Sequence, residues 1–254
     1  METVGQLHFE SIMVFFTGLC ILFLLQKRWL LAGVNLAMAV GVKLWPLMFA
    51  PLIVSHMVGD RLDKEAVVKF LRFALGCGLT LIVLFIPMIR MVEAGNFFES
   101  VNLYFQSFEF NASIYYLVRW LGIKVTGYNQ IAFIGPLLSL ITVMVIMTRA
   151  LKRERMMSAS FLVRSLLVAF STYLLLATTV HPWYLILPVF LTAIVRKVWV
   201  LVWSGVVVFS YSTYTDPDFQ PDFLWISLEY AIVLAAYGVE ELWIGAKKKA
   251  SLRN

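Results

Sequence analysis

The stretch Val42-Lys43-Leu44-Trp45-Pro46-Leu47 decides how this chain is read. It lies inside an apolar run from Leu30 to Val58 in which Lys43 is the one Lys, Arg, Asp or Glu. A lysine at membrane depth is costly unless it faces a cavity or snorkels to the interface. Pro46 follows closely, and proline removes a backbone donor and clashes with the preceding turn. The run is therefore either one helix with a buried lysine or two short helical arms with Lys43 at the tip. That choice fixes which side of the membrane every later segment faces.

The rest of the composition is that of a polytopic membrane protein. Of 254 residues, 61% are hydrophobic and 14% charged, with a mean hydropathy of +0.84, whereas a soluble domain carries roughly 25% charged residues. The net charge of +6 reads as the Lys/Arg excess of cytoplasmic loops. Aromatic and basic residues do not interleave as in single-strand binders, so no nucleic-acid partner is expected. Cys20 and Cys77 lie in apolar runs without metal-type spacing and read as small core residues. No Lys or Arg precedes Ser11–Leu25, so this run reads as a retained helix rather than a signal peptide.

Hydropathy marks Ser11–Leu25, Leu30–Val58, Phe70–Ile89, Ile131–Thr148, Ser160–Thr179, Trp183–Val195, Val198–Ser212 and Leu224–Gly245. A span needs about 20 apolar residues, so Trp183–Val195 is short and Leu30–Val58 is long for one helix. If Leu30–Val58 returns to the side it came from, 17 of the 21 Lys and Arg share one side. They run from Lys27 and Arg28 through Arg61–Arg72, Arg149–Arg164, Arg196 and Lys197 to the C-terminal tail. A single crossing would split this set, and the positive-inside rule favours the return. The expected fold is all-α: a single membrane domain over 1–254, a polytopic helical bundle of about seven spans plus a broken or re-entrant helical hairpin around Lys43. Its N-terminus is expected outside and its C-terminus in the cytoplasm, in a bacterial inner membrane.

That orientation gathers the polar pieces on the outer face: Gln6–Glu10, Lys43, the long 90–130 loop and the segment around His181. His181-Pro182-Trp183-Tyr184 ends a helix there. Trp and Tyr serve as interfacial anchors, while an imidazole can donate to a phosphate or act as acid or base. His8 and Glu10 flank Phe9 at a helix entry, where a carboxylate also suits the helix dipole. The 90–130 loop carries Phe108, Phe110, Tyr115, Tyr116 and Trp120. It reads as an amphipathic interfacial helix capped by Asn111 or Ser113, or as a platform for a sugar ring or lipid tail. Asn111-Ala112-Ser113 is formally a glycosylation acceptor pattern. Asp216, Asp218 and Asp222 form an acidic turn with Pro217 and Pro221, which could hold a divalent cation; no other cofactor is implied. Glu229 is an intramembrane carboxylate and so a functional candidate by position.

Four of these pieces carry a resemblance. His8-Phe9-Glu10, Gly41-Val42-Lys43-Leu44-Trp45-Pro46-Leu47, Phe110-Asn111-Ala112-Ser113-Ile114-Tyr115-Tyr116 and His181-Pro182-Trp183-Tyr184 occur in an order that resembles the GT-C superfamily of membrane glycosyltransferases. The likeness is to its polyprenyl-phosphate-mannose-dependent members, related to the GPI mannosyltransferase catalytic subunit. The resemblance implies an inverting transfer of a sugar from a polyprenyl-phosphate sugar donor to a lipid or glycan acceptor at the outer face. It places His8, Glu10 and His181 as catalytic candidates and Lys43, Asn111, Tyr115, Trp183 and Tyr184 as substrate contacts. Relatives carry earlier spans and a large outer loop with the acidic base ahead of this point. On this resemblance the chain is expected to correspond to a C-terminal portion, with that part or a partner chain supplying the missing spans. Two other classes fit the composition. A secondary transporter or lipid flippase would show repeats and a midplane site, and a non-catalytic membrane subunit would need only the packing faces.

Overall fold

The computed structural model describes residues 8–59, 63–89, 108–152, 155 and 158–251. Among them the chain is all-helical. The ten α-helices are α1 (Glu10–Leu25), α2 (Trp29–Val42), α3 (Ala50–Val58), α4 (Lys64–Ile89), α5 (Ile114–Thr126), α6 (Ile131–Ala150), α7 (Ala159–Leu176), α8 (Ile186–Val195), α9 (Val198–Val206) and α10 (Phe223–Ser251). Short 3₁₀ segments lead into α3 (Trp45–Phe49) and α8 (Pro182–Leu185), and one continues α9 (Val207–Thr215). Five stretches are long and apolar enough to cross a membrane: Lys64–Pro87, Ile131–Ala150, Ala159–Leu176, Val198–Thr215 and Phe223–Lys247. They mark a membrane protein. Their outward faces carry exposed apolar residues such as Leu79, Val83, Phe133, Leu140 and Leu234, as lipid-facing surfaces do.

The Leu30–Val58 run is not one helix. α2 stops at Val42, and Lys43 is extended at φ −156°, ψ 139°. Pro46 then falls in the first turn of the 3₁₀ segment and Pro51 in the first turn of α3, where a missing N–H leaves no helix bond unmade. α2 has 14 residues and is about 21 Å long, short of a hydrocarbon core about 30 Å thick. Its start and the end of α3 line one cavity, shared by Leu24, Leu25, Lys27 and Trp29 with His56, Met57, Val58 and Gly59.

Glycines hold the first helices close. A Cβ at Gly33 on α2 would lie 2.1 Å from the Phe73 carbonyl oxygen, and one at Gly76 on α4 would lie 2.2 Å from that of Leu30. The obstacle at both positions is backbone, so only glycine permits this approach. The shared core runs through Met13, Leu36, Phe49, Leu52, Leu166 and Phe170. Cys20 is buried and, like Cys77, a free thiol.

Candidate functional site at the Lys43 end

The interruption at Lys43 brings its side chain to the first turn of α1. The Lys43 Nζ donates to Glu10 Oε1 at 2.5 Å. Glu10 is only 4% exposed, whereas the Lys43 side chain is 31% exposed. Two rings complete the enclosure: the ammonium lies 3.8 Å from the Trp45 centroid and 4.4 Å from that of Tyr184. These rings meet edge to face at 4.3 Å. Cation–π attraction and the carboxylate together offset the ammonium's lost hydration. Burial still pulls the Lys43 amine below its usual range, against the opposing pull of Glu10.

The loop after α7 supplies the second half. His181 is extended and Pro182 opens the 3₁₀ turn, as expected of a residue before proline. The Trp183 ring is sandwiched between two imidazoles, with His8 at 3.9 Å and His181 at 4.4 Å between centroids. Phe110 stacks on the other side of His181 at 4.7 Å. Main-chain bonds lock Phe110 in place: its N–H donates to Thr178 O at 3.0 Å and its carbonyl accepts from Val180 N at 2.8 Å. His181 Nδ1 is buried with no hydrogen-bond partner among the described residues. Burial pushes the imidazole down to about 4, with the Lys43 charge and His8 adding and Glu10 opposing. His181 is therefore neutral at pH 7, with one N–H to give and one nitrogen to receive.

His8, Glu10, Lys43, His181, Trp183 and Tyr184 thus converge, although the sequence separates them widely. Trp183 is half-buried and stacks with both histidines. Asn111 and Tyr115 belong elsewhere. Asn111, at φ 47° and 1% exposed, donates through Nδ2 to both carboxylate oxygens of Glu229 at 3.2 and 3.3 Å. Trp203 Nε1 adds a bond to Glu229 Oε1 at 3.1 Å, and the Tyr230 hydroxyl donates to the Asn111 carbonyl at 2.7 Å. Burial of the Asn111 side chain is incompatible with glycosylation in the folded chain. Tyr115 donates to Glu109, which also takes bonds from Arg119 and Asn129. Ser113 stands at the N-cap of α5, but its hydroxyl donates to Leu175 O at 2.8 Å and caps nothing.

The acidic turn also proves local. Asp216 Oδ1 accepts from Asp218 N, and Asp222 Oδ1 accepts from Leu224 N and Trp225 N at the start of α10. Among the described residues no group of three or more His, Cys, Asp or Glu could hold a metal ion. Beside α5 lies an apolar groove of about 690 Å³, walled by Leu117, Trp120 and Ile123 and by Phe223, Tyr230 and Leu234 of α10, with Arg119 lining it. The part of the 90–130 loop up to residue 107 lies outside the described residues.

Sequence reasoning did not pair Lys43 with Glu10 or Phe110 with His181. Residue type marked each of them, but no spacing rule links residues so far apart. Compared with models of known protein families, with curated protein sequences and with solved structures, the chain matches none.

Proposed function

We propose that this chain is a GT-C-type membrane glycosyltransferase. It moves a sugar, most simply mannose, from a polyprenyl-phosphate donor to a lipid-linked or cell-envelope acceptor. The observation that carries this reading is the convergence of Lys43, Glu10 and His181 at one end of the bundle. In the reaction the acceptor hydroxyl attacks the anomeric carbon, the bond to the phosphate oxygen breaks, and the polyprenyl phosphate leaves. Such a step needs a carboxylate to take the hydroxyl proton and donors to hold the departing charge.

At rest Lys43 and Glu10 satisfy each other. A phosphate arriving at Lys43 competes with Glu10 for the ammonium, and that exchange frees the carboxylate to accept the proton. His181 contributes an N–H to the same phosphate, held in orientation by the His8–Trp183–His181–Phe110 ring stack. The apolar groove beside α5 suits the prenyl chain. The Lys/Arg distribution supports placing this end outside, in a bacterial inner membrane with a cytoplasmic C-terminus. In this arrangement α2 and α3 are the two arms of a re-entrant pair, and the bundle has about seven spans.

The test is transfer of radiolabelled mannose from polyprenyl phosphate by membranes carrying the protein, its Lys43→Ala form and its His181→Ala form. The expected result is transfer by the parent and at least a tenfold loss in each variant. No transfer, or variants that match the parent, would overturn the enzyme reading.

A further inference from the structure

A cavity with a basic wall lies at the opposite end of the bundle from Lys43. It encloses about 300 Å³ between the α1–α2 turn, the end of α3 and α4. Its polar wall is Lys27, His56 and Lys69, with Trp29 beside them; its floor is apolar, from Leu24, Met57 and Val58. No carboxylate is among its described lining residues.

The turn that presents Lys27 is unusual. α1 ends with Arg28 N bonded to Phe23 O at 2.8 Å and Lys27 N bonded to Leu24 O at 3.0 Å. This is the Schellman pattern, in which the residue at the position of Lys27 adopts positive φ and is most often glycine. Lys27 holds φ 59° there, a conformation that strains any residue with a Cβ. Gly59, on the facing wall, has φ 62°. Lys69 pairs at 2.8 Å with Glu65, whose side chain is 75% exposed, and its ammonium lies 5.9 Å from the Trp29 ring. An exposed partner one turn away is readily exchanged for a better anion.

Two ammonium groups and an imidazole from three elements thus surround a space with an apolar floor, at the end of a membrane bundle. Basic pockets of this kind between membrane helices take lipid head groups. We propose that this cavity binds a phosphodiester anion, carried on an acidic phospholipid of the adjoining leaflet, with Lys27 and Lys69 as its charge partners. The inference is independent of the transferase reading.

The test uses the full chain purified in a neutral maltoside detergent and followed by thermal unfolding. Phosphatidylglycerol, phosphatidylcholine, glycerol 3-phosphate and inorganic phosphate are titrated in separate arms. Phosphatidylglycerol should raise the midpoint saturably by several degrees, and the other three should not. Lys27→Gly separates binding from folding. Glycine relieves the strained turn, so the lipid-free midpoint should hold or rise while the phosphatidylglycerol shift falls by at least half. Lys69→Gln should also reduce the shift. An equal response to phosphatidylcholine, an equal response to the soluble phosphates, or an undiminished shift in Lys27→Gly would each overturn the proposal.

Discussion

Among the described residues two carboxylates are buried, Glu10 at 4% and Glu229 at 0% exposure, and the chain treats them differently. Glu10 faces a full positive charge, Lys43, whose side chain is 31% exposed, in the pair that the proposed transfer would open. Glu229 lies within α10 and receives only neutral donors, the Asn111 amide and the Trp203 indole. The first arrangement stores a charge where it can be exchanged. The second spends a carboxylate on holding Asn111 in its left-handed conformation, which keeps Phe110 against His181. Under the proposed transfer, one end of this connection would do chemistry and the other would position it.

The sharpest way to break that contrast is at Glu229. Glu229→Ala would strand two buried donors and leave a void, at a cost of about 3 kcal/mol. Glu229→Gln keeps an acceptor for both donors and should cost below about 1 kcal/mol. Chemical unfolding in detergent measures both. If Gln were as damaging as Ala, the charge of Glu229 would matter and the two sites would be alike after all.

The next effect is at the exchangeable pair. Lys43→Ala leaves Glu10 buried without its counter-ion, and Glu10→Ala leaves the half-exposed Lys43 much better off. A double-mutant cycle should return a coupling of about 2 kcal/mol, with Lys43→Ala the more harmful single change. Equal single-mutant costs and no coupling would mean that the pair is incidental.

The smallest effect is a pH dependence set by His181. Its imidazole stays neutral in the folded chain down to about 4, while the unfolded chain takes up a proton near 6.5. The folded pKa is the lower, so stability is intact above pH 6.5 and declines as pH falls toward 4. The loss should be about 1 kcal/mol after solvent screening. Intrinsic tryptophan fluorescence during unfolding at several pH values reads it, and His181→Phe should flatten the profile over that window.

Much of this was legible in the chain itself. The apolar runs marked every described helix but α5, which read instead as an amphipathic helix, and the lysine and proline at 43 and 46 marked the break. Composition excluded a soluble fold, and residue type picked out His8, Glu10, Lys43 and His181. These are local properties: hydropathy, proline's missing donor, and the cost of a charge in lipid act within a few residues. The partners were not legible. Asn111 and Tyr115 sat in the same aromatic segment, yet one turned inward to Glu229 and the other to Glu109. Trp183 read as an interfacial anchor or a substrate contact, and nothing in its spacing announced that its ring stacks with two imidazoles. Only the packing of α1, α7 and α10 around the loop after Phe108 decided which polar group met which, because hydrogen bonds and ion pairs depend on ångström distances between segments that the chain keeps far apart.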